Sequence, residues 1–269
     1  VLNQSLNMGT PKGEPKLDLI RRASDVTSPF KLRRPTGIVG LDLALRGGWP
    51  AGGLCQIAGP ESVGKNALCW QTLAMLQKTY GADTRIGWCW TEYPVDKGYG
   101  QQFGVVVPMS DEDIELENLS RVRDGRKPMD KREMKLAKRS LGEFIVVDRG
   151  STEKRLQAVV EMVRSNLFQV IIVDSLGALL TEVQEDTDLD DEPQQSSEAR
   201  LVTRFQNKLH GANSAPARGD VNWTTVIAIN QVRANRSMAK FKKEWKVAGA
   251  HALRHGKLVD VWLTKAERI

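Results

Sequence analysis

No apolar run in the 269-residue sequence approaches the roughly 20 residues that a membrane span needs. The N-terminus lacks the apolar core of a secretory signal, so a cytoplasmic protein is expected. Cysteine is scarce. Cys55, Cys69 and Cys89 are odd in number and fall in expected core elements, with neither metal-ligand spacing nor a disulfide framework. Buried thiols in a reducing compartment are the reading. Large apolar side chains are few before residue 35, where Pro11, Pro15 and Pro29 interrupt a polar stretch. Residues 1–35 are therefore expected to form an arm, with one short helix at 16–23 and an oligomerising role open to it. The chain starts at Val1, so either an initiator methionine has been removed or the N-terminus is incomplete.

Apolar anchors are thin again at 108–140. This stretch has an acidic half (Asp111, Glu112, Asp113, Glu115, Glu117) and a basic half from Arg121 to Arg139. A solvated helical insertion is expected, with a DNA-contacting element as the alternative. The segment 182–192 has no lysine or arginine at all, and reads as a solvated mobile loop or a self-repelling gate.

What remains is ordinary in bulk. Hydrophobic residues make up 41% and charged residues 27%, as in soluble globular proteins, and one core domain over 36–269 is expected. A net charge of +6 permits a polyanionic partner. Apolar runs at 54–58, 85–90, 144–147, 170–173, 224–229 and 257–263 read as strands. Between them, 66–80, 96–103, 153–166 and 197–210 read as helices, 37–45 as a helical turn, and 105–107 as a further apolar segment. Alternating strands and helices predict an α/β fold with a mostly parallel sheet.

Residues 59–66, Gly-Pro-Glu-Ser-Val-Gly-Lys-Asn, sit between the first strand and the first long helix. Strand, glycine-bounded loop, lysine and helix form the context of a phosphate-binding loop. Gly59 and Gly64 allow tight backbone turns, Lys65 supplies a point charge for phosphate, and the helix N-terminus adds its dipole. Asn66 stands where the motif has Ser or Thr, whose hydroxyl ligates Mg²⁺. Three other strands end in Glu92, in Asp174-Ser175 and in Asn230-Gln231. In an open parallel sheet, ligands bind beyond the carboxyl ends of the strands, so these groups would gather around one nucleotide if the strands are neighbours. Asp174 suits Mg²⁺, Glu92 suits orienting and deprotonating a water, and Gln231 suits sensing a terminal phosphate. A basic segment follows Gln231 at once, with Arg233, Arg236, Lys240, Lys242, Lys243 and Lys246.

From Thr36 to Thr264 the sequence resembles the RecA family of DNA recombinases. Thr36-Gly37, Leu41-Asp42-Leu43-Ala44-Leu45 and the Gly-Gly-Trp-Pro turn at 47–50 are similar to the family's approach to its phosphate loop. Gly59-Pro60-Glu61-Ser62 with Gly64-Lys65 is the family's form of that loop, and Asp174-Ser175-Leu176-Gly177 resembles the phage UvsX branch. The resemblance implies a RecA-like P-loop NTPase core, a twisted sheet flanked by helices. It also implies ATP and Mg²⁺ as ligands, with Gly59, Pro60, Glu61, Ser62, Val63, Gly64, Lys65, Asn66 and Ala67 around the phosphates. Asp96 and Tyr99 would contact the adenine, Asn66 and Asp174 the metal, and Glu92, Lys65 and Gln231 would act in hydrolysis. Asn230-Gln231-Val232-Arg233 resembles a glutamine switch that opens a second DNA loop, and 249–254, ending in Arg254, resembles that loop's end. The first DNA loop would lie within the acidic 182–195.

The implied function is an ATP-dependent filament on single-stranded DNA that promotes pairing with duplex DNA and strand exchange. Phe241 and Trp245, interleaved with the lysines, are candidates to stack on bases or to pack within the loop. Departures from the family pattern are Asn66, Ala250 in place of Gly and His251 in place of Asn. The family's C-terminal domain is expected to be absent, and the insertion has no counterpart in it. Two rival readings remain: a nucleotide-binding accessory or structural protein with little or no hydrolysis, and a phosphotransferase or motor ATPase on the same core.

Overall fold

A computed structural model of the chain describes residues 27–91, 96–139, 141–178, 195–217, 221–234, 245–247 and 256–265. The short helix expected at 16–23 lies outside them. A 3-10 turn, Pro29–Lys31, leads to β1 (Arg33–Arg34), α1 (Val39–Ala44), β2 (Trp49–Pro50) and β3 (Gly53–Gly59). Next come α2 (Lys65–Tyr80), β4 (Arg85–Trp90), α3 (Lys97–Gln102), α4 (Asp111–Arg123), α5 (Lys131–Ala137) and β5 (Glu143–Val147). The described chain finishes with α6 (Thr152–Ser165), β6 (Val170–Asp174), α7 (Gln195–Ser214), β7 (Thr225–Ala234), β8 (Trp245–Val247) and β9 (Lys257–Trp262).

The main sheet runs in the order β5-β4-β6-β7-β3-β9, and every pair along that path is parallel. Parallel strands need helical crossovers, which cover both faces, so the central strands must be apolar on both sides. They are. In β6, Val170 and Ile172 face the layer that holds α2, while Ile171 and Val173 face α6 and α7. In β7, Ile227 and Ile229 join the α2 layer, and Val226 and Ala228 join the opposite one. Near-continuous apolar runs at these positions are the sequence cause of the fold.

Local chemistry sets the helix ends. Ser151 caps α6, and Asn166 ends it in a left-handed conformation. That asparagine also bonds the Val221 carbonyl and the Trp223 amide, so it ties α6 to the approach of β7. The three cysteines are free and buried as expected. Burial pushes the Cys55 and Cys89 thiols up to about 12.

The apolar segment 105–107 is buried at Val105 and Val107, and the Gln77 side chain on α2 bonds both the N–H and the carbonyl of Val106. Two expectations are revised. The strand expected at 224–229 continues through Gln231 to Ala234, because beyond the sheet it pairs antiparallel with β8. Arg34, in the stretch read as an arm, is buried in the two-stranded ladder of β1 and β2. Its guanidinium donates to Tyr80 Oη at 3.1 Å and to the Trp223 carbonyl at 2.6 Å. As expected, the described part of 108–140 carries helices, α4 and α5. Among the described residues, no helix is long and apolar enough to cross a membrane.

Candidate functional site

Residues 60–64 form the turn between β3 and α2. Ser62 and Gly64 both have positive φ, 58° and 93°, and Gly64 caps α2. Gly59 is needed for a different reason than turning. A Cβ there would lie 2.5 Å from the Leu263 carbonyl oxygen, where the chain leaving β9 crosses and donates the Leu263 N–H to Ala58. Lys65 is the first residue of α2 and is buried. Its ammonium donates to the Gly59 carbonyl at 3.0 Å and to the Pro60 carbonyl at 2.5 Å. A cation is thus held in the loop's mouth, at the positive end of a 16-residue helix dipole. Glu61, Ser62, Gly64 and Asn66 are exposed there, while Pro60, Val63 and Ala67 are half-buried.

The strands that end in polar residues are neighbours, β4-β6-β7-β3. Register fixes how their ends line up. Trp90 is level with Asp174, and Gln231 is level with Gly59. Adjacent strands lie about 4.8 Å apart, so Gln231 stands beside the first residue of the loop. Gly177, in the turn after β6, has no Cβ where one would come within 3.3 Å of the Gln231 amide nitrogen and 3.4 Å of its Cβ. Half-buried Gln231, on β7, therefore lies between the loop after β3 and the turn after β6. Glu92, the expected catalytic base, lies outside the described residues.

Asn66 and Asp174 are brought together: the Asn66 side-chain amide donates to Asp174 Oδ2 at 3.0 Å. Turning the amide over would present its oxygen instead, an assignment set by the hydrogen-bond network. Asp174 and Asn66 then offer a carboxylate and an amide oxygen side by side, a donor set that suits a hard cation. Among the described residues no group of three or more His, Cys, Asp or Glu could hold a metal. A sparse protein donor set is what Mg²⁺ uses when waters and substrate phosphates complete its shell. The residues present fit the ion.

Thr91 immediately follows β4. Its hydroxyl accepts from the Ser175 amide at 2.9 Å and donates to the Ser175 carbonyl at 2.8 Å, and its own N–H donates to the Asp174 carbonyl at 2.7 Å. One side chain just past β4 thereby fixes the backbone that aims Asp174, whose peptide bond to Ser175 is cis. A polar β-branched residue just after a buried strand was the available signal.

Asp96 caps α3 by accepting the Tyr99 N–H at 2.9 Å. The Tyr99 ring meets Phe103 edge-on at 5.1 Å. Gly100 packs against the Trp70 ring, where a Cβ would come within 2.6 Å, so α3 is seated on α2. Of the expected DNA-contacting residues, the backbones of Arg233 and Lys246 pair across the β7–β8 ladder rather than lying within a loop, because β7 runs on past the sheet. The Trp245 backbone pairs there too, opposite Ala234. Arg236, Lys240, Phe241, Lys242, Lys243 and Arg254 lie outside the described residues, as does the acidic segment 182–192.

The family model described as the RecA N-terminal domain matches residues 26–148 and 124–269. The chain is similar to Protein RecA of Solidesulfovibrio magneticus, 29% identical over 221 residues that cover 82% of this chain and 50% of that protein. Protein RecA of Leptospira biflexa is 29% identical over 199 residues, 74% of this chain and 40% of the relative. Protein RecA of Gloeobacter violaceus is 26% identical over 237 residues, 87% and 52% of the respective lengths. The chain thus spans about half the length of the curated relatives it matches.

Proposed function

The chain belongs to the RecA family, and from that premise we propose that it is an ATP-dependent recombinase. It assembles as a helical filament on single-stranded DNA in the cytoplasm and promotes pairing and strand exchange with duplex DNA. The observation that carries this reading is the position of Gln231. It lies level with Gly59 of the phosphate loop, on a strand that runs on into the β7–β8 ladder bordering the basic segment.

In this reading the N–H groups of 59–67 and the Lys65 ammonium hold the β and γ phosphates of ATP, while Asp96 and Tyr99 border the base. Asn66 and Asp174 hold Mg²⁺, which when bound neutralises charge on the phosphates. Lys65 leaves its two carbonyl partners for phosphate oxygens, a stronger charge-assisted contact. Glu92 orients the attacking water and takes its proton. Gln231 bonds the γ phosphate and, through β7, sets the position of Arg233, Arg236, Lys240, Lys242, Lys243, Lys246 and Arg254 against the DNA backbone. Contacts of that kind are independent of sequence and sensitive to salt. The arm at 1–35 serves assembly between protomers, and 36–269 is the ATPase core.

A second reading is favoured by the Asn66–Asp174 hydrogen bond: a nucleotide-binding accessory protein that hydrolyses little, its metal site closed by the amide. ATP turnover measured with and without single-stranded DNA, at two salt concentrations and beside Asn66→Thr, decides between them. The recombinase reading expects turnover that DNA stimulates and high salt abolishes. Negligible turnover rescued by the threonine supports the accessory reading, and turnover indifferent to DNA in both proteins contradicts the recombinase.

A further inference from the structure

Helix α4 buries Ile114 alone. One of its faces is committed to the rest of the insertion. Arg121 bonds Glu117 and, across to α5, Glu133, while Asn118 accepts the Met129 N–H. The opposite face is solvent-exposed along its whole length and reads, in order, Glu112, Glu115, Leu116, Leu119, Val122 and Arg123. Those spacings of three and four residues put all six on one stripe of an α-helix. Leu116, Leu119 and Val122 at its centre are 66%, 63% and 57% exposed. A contiguous apolar stripe of this kind, with charge at both ends, marks a binding surface rather than scattered surface apolarity.

The charges say what it binds. The N-terminal end of the stripe is acidic, and the C-terminal end is basic, with Arg123 and, just past the helix, Arg126. A two-fold axis through Leu119 carries each residue onto a complement. Leu116 meets Val122 of the other copy, and Glu115 meets its Arg123, while the acidic end with Glu112 faces the basic end with Arg126. We propose that this face is a self-association surface on which a second copy of the chain lays its own α4 antiparallel. A parallel arrangement would stack acid on acid and base on base, and an acidic or a basic partner would match only half of the stripe. Antiparallel helices also oppose their dipoles favourably. Arg123 and Arg126 are now paired with Asp124 in exposed ion pairs, which exchange at little cost.

Such a contact is isologous, with the same patch on both copies. It differs in kind from the head-to-tail contacts that build a filament, and it needs neither nucleotide nor DNA. In a filament that repeats α4 at every protomer, it would join one filament to another. Lys97 of α3 bonds Asp113 of α4, so the surface is also anchored to the segment beside the proposed base site.

The test is sedimentation of the full chain at low salt, without nucleotide or DNA, over a wide concentration range. The native protein is expected to pass from monomer to dimer. Leu119→Glu, an exposed change that leaves the fold intact by circular dichroism, is expected to move the midpoint by about tenfold or more. Arg123→Glu and Glu115→Arg are each expected to weaken association, because each places like charges opposite one another twice in its own dimer. Mixing those two variants is expected to restore the dimer, since every pair is then complementary, a result that neither misfolding nor unspecific aggregation can mimic. A native protein monomeric throughout, association unchanged by Leu119→Glu, or a mixture no tighter than its components would each overturn the proposal.

Discussion

The carboxyl edge of the sheet and the α4–α5 segment are built by opposite means. At the sheet edge, strands buried on both faces hold Asp174 and Gln231 at spacings that the backbone ladder dictates. In α4 and α5 a single buried side chain, Ile114, is supplemented by two capping boxes, Ser110–Asp113 and Asp130–Glu133, and by ion pairs at the surface. Cooperative burial makes geometry rigid, while caps and surface pairs stabilise each helix locally and weakly. The difference teaches where chemistry can be held and where surface can vary: fixed groups belong on the former, and a face open to recognition on the latter.

The largest expected effect tests this contrast in stability. Ile172→Ala, fully buried in β6, should cost about 2–5 kcal/mol in denaturant unfolding, whereas Leu116→Ala on α4 should stay within about 0.5 kcal/mol. Equal losses at the two sites would break the comparison. Next is Thr91. Thr91→Val keeps the shape but removes the hydroxyl that grips Ser175. The Mg²⁺ concentration needed for nucleotide hydrolysis should rise about 10–100-fold, with Thr91→Ser close to native. Faster exchange of the Ser175 amide in the valine variant would tie the effect to this hydrogen bond; an unchanged Mg²⁺ requirement would remove Thr91 from the account.

The smallest effect concerns the link between α3 and α4. The hydrogen bond from Lys97, with the Ser110 backbone, lowers the Asp113 carboxyl from 3.8 to about 2. A carboxyl whose folded pKa is depressed contributes stability above its unfolded pKa and loses it as pH falls through the folded one. The contribution is therefore complete above about pH 4 and fades as the pH approaches about 2. NMR titration of the Asp113 carboxyl should show that low midpoint and its return upward in Lys97→Met. A native midpoint in the ordinary carboxyl range would sever α4 from α3.

Much of the sheet was legible because burial on both faces leaves little sequence freedom. The apolar runs at 85–90 and 170–173 match strands within a residue. The glycine-bounded turn between β3 and α2 was legible because glycines, lysine and helix must follow one another in the chain. What escaped depends on contacts between distant segments. Thr91 gains its role only when β6 lies beside β4, and Gly59 is required by Leu263, far along the sequence. The extension of β7 to Ala234 depends on β8, whose polar, basic surroundings give no strand signal. Buried Gln56 likewise looks out of place in β3 until Asp260 and Asn230 appear as its partners on the two flanking strands. The helices of 108–140 were legible from its charge pattern and thin apolar anchors, yet the exposed stripe of α4 emerges only once its committed face is known.

Central to the account is that Gln231 couples nucleotide at the loop to DNA at the ladder. The direct measurement is the affinity for single-stranded DNA with and without a non-hydrolysable ATP analogue, in the native chain and in Gln231→Ala. The native chain should bind DNA much more tightly with the analogue. Gln231→Ala should still bind the analogue but show no such gain. A variant that retains the full nucleotide-dependent gain would contradict the account.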